Sequence, residues 1–223
     1  MYVSRISLAL TVGVAGLLLW GCGRQPDFVA QPEPWREQEE RACLVSGHVR
    51  EKPWLQSRAA LGGPSVCGAM RPFEMAAAND GRVELRPAAM LRCNMVPSVE
   101  RWVRLAVEPE ARRHYGVPLA EIKVAASYSC RPRNGQRGAK LSEHGHANAL
   151  DVAGFVLADG RTITVKQGWL GDGRDRSFLR AVHAGACREF TTILGPEADA
   201  FHHDHFHLDL ARHGRSGQDV ICR

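Results

Sequence analysis

Near the end of the chain the segment AFHHDHFHLDL (200–210) places His202, His203, His205 and His207 within six positions, with Asp204 and Asp209 among and after them. Some sixty residues earlier LSEHGHANALDV (141–152) carries His144, His146 and Asp151. On an extended chain residues two apart face the same way, so His205 and His207 share a face while Phe206 and Leu208 point to the other. Two imidazoles on one face cost burial energy unless something satisfies their nitrogens. Asp151 falls in a strand-like stretch beside the small Ala149 and Ala153, which leave room next to its carboxylate. Taken together, His144, Asp151 and His207 offer two imidazoles and one carboxylate. That set suits Zn2+ and leaves a fourth position for solvent, which such a metal activates near neutral pH. A single histidine is explained well enough by an ordinary hydrogen-bond partner. Six histidines in two short segments favour the metal.

These residues need elements to hold them. NDG (79–81) is a turn signal, and the GRVELRP after it reads as a short strand. Pro97 to Tyr115 reads as helix, with Ser98 as its cap and Val99, Trp102, Val103, Ala106 and Val107 at helical spacing before Pro109 disturbs it. Ile122–Ser129, Ala149–Leu157 and Thr162–Val165 read as strands, the last two joined by the Ala158-Asp159-Gly160 turn. A helix capped by Ser177 is expected to carry Phe178, Leu179, Val182, Ala186, Phe190 and Ile193 on one stripe, ending at Gly195-Pro196. Phe206–Leu210 reads as a last short strand. The fold class expected is α+β: a helical first half and a small antiparallel sheet in the second half carrying the zinc site, packed with helices and stapled by disulfides.

The N-terminus speaks of export. Ile6 to Trp20 is an uncharged, largely apolar run, too short to span a bilayer comfortably and suited to the core of a signal peptide. It closes on LLWGCG, in which Leu19 and Gly21 before Cys22 resemble a lipoprotein cleavage site, with Trp20 as a departure. The organisation expected is a lipoprotein-type signal over 1–21, a flexible tether over 22–40 and a single domain over 41–223. If Cys22 carries lipid, six cysteines remain: Cys43, Cys67, Cys93, Cys130, Cys187 and Cys222. An even number in an oxidising compartment favours three disulfides, whose pairing the spacing leaves open. The absence of a CxxC pair argues against a cysteine zinc site. A net charge of +5 with no basic recognition helix excludes nucleic acid as an expected partner.

SEHGHANALD resembles the SxHxxGxAxD signature of the D-Ala-D-Ala metallopeptidase, lysostaphin and Sonic hedgehog zinc superfamily, and HHDHFH resembles its closing HxH element. More closely, SYSCR, LSEH, NALDVAGF, LGP and FHHDHFHLDL, with cysteines at both ends, resemble the bacterial extensin-like C-terminal family over about 43–222. The resemblance places His144, Asp151 and His207 on the zinc ligands. It places His205 on a histidine that assists as base or steadies the transition state, Asp204 near a catalytic carboxylate, His202 on a further active-site histidine and Arg131 on the arginine that steadies the oxyanion. Between His205 and Asp204 as base the choice stays open, with His205 favoured by its shared face with His207. His146 and His203 are expected in supporting or surface positions, and Asp209 as an outer partner of a ligand. Ala147 stands where the superfamily has glycine, which puts the local backbone shape in question.

The function these implications add up to is a zinc peptidase of the bacterial envelope, anchored by lipid, facing the periplasm and cutting a peptide bond next to a D-amino acid in peptidoglycan. The basic stretch RPRNGQRGAK (131–140) is expected to form a flexible positive lip suited to carboxylate-bearing substrates. The rival expectation is a catalytically silent zinc module that binds wall peptides or an envelope partner.

Overall fold

The computed structural model describes residues 26–223; the expected signal peptide and Cys22 lie outside them. Among the described residues no helix is long and apolar enough to cross a membrane. The chain is α+β, but its sheet is neither small nor confined to the second half. Nine strands form one mixed sheet, and the first half supplies three of them: β1 (Leu55–Ser57), β4 (Phe73–Ala78) and β5 (Val83–Leu91). Two-residue strands β2 (Leu61–Gly62) and β3 (Gly68–Ala69) pair separately. The others are β6 (Leu119–Ala126), β7 (Ala149–Leu157), β8 (Thr162–Thr164), β9 (Thr192–Leu194), β10 (Phe206–Asp209) and β11 (Ile221–Cys222). Their order is β1-β4-β5-β6-β7-β10-β9-β11, with β8 on β7; β5/β6 and β9/β11 are parallel and the rest antiparallel.

β7 organises this sheet. One edge pairs with β6 along its length; the other pairs with β10 over 149–152 and with β8 over 154–156. Gly154 sits where β8 takes over, and a Cβ there would lie 2.6 Å from the Ile163 carbonyl oxygen, so only glycine fits the close approach.

Alternation sorts the two faces. Leu150 and Val152 of β7, with Phe206 and Leu208 of β10, are fully buried against the helices. The helical layer contains α2 (Met95–Trp102), a π-helical turn (Val103–Val107), α3 (Glu108–Tyr115) and α5 (Gly173–Ala186), with the short α4 (Val165–Gly168) before α5. The wide turn falls where Pro109, lacking an N–H, cannot continue the normal ladder. Helix start signals were legible only approximately. Ser98 and Ser177 lie inside their helices, while Asn94 occupies the first cap and Asp172 caps α5 by accepting from the Arg174 and Asp175 amides at 3.0 and 2.8 Å. Phe190 and Ile193 do not continue α5: it ends at Ala186, and Ile193 belongs to β9, whose pairing with β10 is non-local.

The expected tether is also corrected. Pro34–Ser46 is helix α1, closed by Gly47 in the left-handed region at φ 63°, and its Arg36 and Glu40 are buried. Ahead of it Phe28 is buried against Leu141 and Cys67, and Val29 bridges Lys140. Part of the polar composition here serves buried ion pairs, Arg36 with Glu143 and Glu40 with Arg92, while Glu37, Gln38 and Arg41 face solvent. The six cysteines pair as Cys43–Cys93, Cys67–Cys130 and Cys187–Cys222. The first ties α1 to the end of β5; the second ties the β2–β3 region to the loop before the first histidine segment.

Candidate metal centre

On the sheet face away from the helices, β7 and β10 run antiparallel with His207 directly opposite Asp151. Side chains so paired share a face and meet, and His207 Nδ1 lies 2.9 Å from Asp151 Oδ1. His144 enters from a 3-10 turn, Glu143–His146, just before β7. Its Nε2 lies 3.0 Å from Asp151 Oδ2 and 3.3 Å from His207 Nδ1. All three residues are over nine-tenths buried.

The outer nitrogens are committed elsewhere. His144 Nδ1 donates to the Ser127 carbonyl, and His207 Nε2 donates to Asp209 Oδ2 at 2.8 Å. Asp209 Oδ1 in turn accepts from the Ala211 amide. The inner nitrogens are therefore left to face one another and the carboxylate. With bonds of about 2.0–2.1 Å, tetrahedral zinc separates its ligand atoms by about 3.3 Å. The separations, 2.9 Å to Asp151 Oδ1, 3.0 Å to Asp151 Oδ2 and 3.3 Å between the imidazoles, are close enough for the buried N2O set with its outer partners to hold one metal ion. In the metal-free chain the same crowding strains the protonation states. Burial opposes a charged His207, yet its hydrogen bonds to Asp151 and Asp209 push its pKa up to about 10. Burial likewise acts against an ionised Asp151, and the bonds from His144 and His207 overcome it and hold the carboxyl far below the usual range.

Around this trio stand the other residues singled out in the sequence. His205 lies just before β10, with Nε2 3.7 Å from Asp151 Oδ2 and Nδ1 2.9 Å from Asp204 Oδ1. Asp204 is partly exposed and does not line the cleft, so it reaches the centre only by orienting His205. His202 is buried, with its Nδ1 2.7 Å from Asp199 Oδ1 and its ring 5.7 Å from that of His207. Arg131 approaches Asp151 Oδ2 at 4.0 Å. His203 is exposed at the surface, and His146 is buried on the far side of the 3-10 turn. The cleft above them has a volume of about 580 Å³ and is lined by Arg131 and Arg133 as well as by Leu194, Phe201 and Ile221.

Five contributors, Arg36, Glu143, Asn148, Asp199 and the Ser127 carbonyl, were not anticipated from the sequence. Glu143, buried, receives Arg36 in a two-pronged ion pair at 2.6 Å for each bond and also accepts from Asn148 at 2.7 Å, which locks both ends of the turn carrying His144. Asp199 fixes His202, and the Ser127 carbonyl fixes His144. Glu143 and Asn148 lie within the quoted segment, but nothing in the sequence named Arg36 as their partner. The basic lip is not a free loop: Gly138 donates to the Asp27 carbonyl and Lys140 pairs with Val29. Ala147 adopts φ 50°, ψ 28°, the left-handed shape for which glycine is the ordinary choice, while staying fully buried. A second histidine–cysteine cluster, His183 with Cys187 and Cys222, has both sulfurs joined in a disulfide and offers no thiolate.

Residues 41–223 match the model of the family described as Extensin-like protein C-terminus, and the chain belongs to that family. No curated protein and no solved structure matches the chain.

Proposed function

We propose that this member of the extensin-like C-terminus family is a zinc peptidase of the bacterial envelope that cleaves a peptide bond next to a D-amino acid in peptidoglycan. The observation that carries the reading is the convergence of His144 Nε2, His207 Nδ1 and the Asp151 carboxylate on one point at the floor of an open cleft, each imidazole oriented by a partner on its other nitrogen. Bound there, zinc would supply Lewis-acid activation of water and polarise the amide carbonyl. The arrangement supports placing the family among the D-Ala-D-Ala metallopeptidase, lysostaphin and Sonic hedgehog proteins, whose signature the two segments resemble.

The chain's own residues provide the rest of amide hydrolysis. Asp204 holds His205 Nδ1, so Nε2 is the atom that takes a proton from the attacking water and returns it to the leaving nitrogen. Arg131, 4.0 Å from Asp151 and partly exposed to the cleft, offers its guanidinium to the charge developing on the carbonyl oxygen. His202, immobilised by Asp199, packs against the rings of His205 and His207 and restricts the space between them. The apolar stretch 6–20, Cys22 and the three disulfides support export and a lipid anchor facing the periplasm.

The test is digestion of purified wall fragments by zinc-loaded protein, by a chelator-treated sample and by His205→Ala, with products read by mass. New cleavage confined to the loaded wild type is expected. Intact fragments in all three, with zinc bound, would replace the peptidase with a zinc-dependent binding module.

A further inference from the structure

Behind the 3-10 turn lies a second, smaller chamber of about 180 Å³, sharing Arg133, Glu143 and His213 with the wall of the main cleft. Its outer wall is the N-terminal segment, through Gln31 and Glu33, which precedes the family match. Its lining is mostly polar and charged. His146 projects into it from the side of the turn opposite His144. The residue is 8 % exposed, and its ring makes no hydrogen bond among the described residues. Its nitrogens are not among the sealed, partnerless polar atoms of the described residues, so they stay open to whatever occupies the chamber. The ring is placed to meet something that enters.

The charges around it say what. Arg36 and Arg212 line the chamber, but Arg36 is spent on Glu143 and Glu33, and Arg212 on Glu39 and the face of Trp35. Glu143 and Glu33 are correspondingly neutralised. Two cations are left over. Arg133 reaches only to 3.8 Å from the already satisfied Glu143, and Lys140 has no ion pair among the described residues. Both are exposed residues of the chamber lining, on the segment that Val29 holds in place. The volume equals that of about six waters, which is the size of one amino acid.

We propose that this chamber is a substrate subsite for an amino-acid-sized group bearing a free carboxylate, bound by Arg133 and Lys140 and hydrogen-bonded by His146. The proposal rests on the peptidase reading of the neighbouring cleft and adds which end of the substrate lies where: the charged terminus enters behind the turn while the scissile bond stays over His144, Asp151 and His207.

The test uses N-acetyl-D-alanyl-D-alanine and its C-terminal amide as probes, added to zinc-loaded protein labelled at histidine, with the His146 ring signal assigned through His146→Gln. The acid is expected to shift that signal and to bind about tenfold more tightly than the amide, as a charge-assisted contact provides. Arg133→Gln and Lys140→Gln should each remove most of the difference, and Arg137→Gln, on the same loop but outside the chamber, should keep it. Equal binding of acid and amide, or binding that leaves His146 unmoved, overturns the subsite even when wall fragments are still cut. Failure of either probe to bind, together with uncut fragments, overturns both readings.

Discussion

His207 and Asp151 are cross-strand partners: the ladder between β10 and β7 sets them opposite each other, and their side chains meet at 2.9 Å. Two ligands of the candidate centre are thus fixed by backbone pairing, and only His144 depends on a turn. A one-residue slip of β10 would send His207 into the helical core and Phe206 into the cleft. The fully buried Phe206 and Leu208 guard against that slip.

Because Asp209 holds the outer nitrogen of His207, Asp209→Ala should weaken zinc binding about 10- to 100-fold without unfolding the chain. Competition against a chromophoric chelator measures this. Retention of wild-type affinity would show that His207 needs no such support.

Zinc must displace the proton that Asp151 and Asp209 keep on His207, so loading should release protons at neutral pH and tighten as pH rises toward about 10. The folded-state pKa is raised above the ordinary histidine value, so His207 contributes stability to the metal-free protein below about pH 6.5. That contribution is lost between about 6.5 and 10. Titration calorimetry in buffers of different ionisation heat gives the proton count, and denaturant unfolding of the metal-free protein across that window gives the stability trend.

Asp204 touches the centre only through His205. Asp204→Asn should therefore leave zinc content intact and lower kcat on wall fragments about tenfold, whereas His205→Ala should cost about 100-fold or more. Equal losses in the two variants would make Asp204 a direct participant.

Arg36 and Glu143 form a buried pair joining α1 to the turn that carries His144. Removing one partner strands the other, and Arg36→Ala should destabilise the fold by about 3–5 kcal/mol in denaturant unfolding. A change under about 1 kcal/mol would mean that α1 is a dispensable appendage.

Ala147 bears a Cβ in the left-handed region at φ 50°. Ala147→Gly should relieve about 1 kcal/mol of backbone strain, partly offset by the greater freedom of glycine when unfolded. A net rise in thermal midpoint is expected; a fall of several degrees would mean that the methyl group packs usefully.

Much of the centre was legible in the sequence because its information is local. The alternation of β7 and β10 sorts His207 and Asp151 from Leu150 and Phe206, and histidine density marked both segments. What escaped notice depends on partners distant in the chain. Strands β1 and β4, the parallel β5/β6 pairing and β9 are decided by neighbours that periodicity does not see. The stretch 22–40 read as a tether because charge and proline look the same whether solvated or engaged; only partners distant in the chain, among them Glu143, 107 positions beyond Arg36, and Arg92 for Glu40, distinguish the two over its described residues.

The account rests on one ion held by three side chains, and the most direct measurement is an anomalous difference map at the zinc absorption edge from crystals of zinc-loaded protein. It should show a peak about 2.0–2.2 Å from His144 Nε2, His207 Nδ1 and one Asp151 oxygen. A map with no density among those three atoms, or with the zinc bound at other residues, would contradict it.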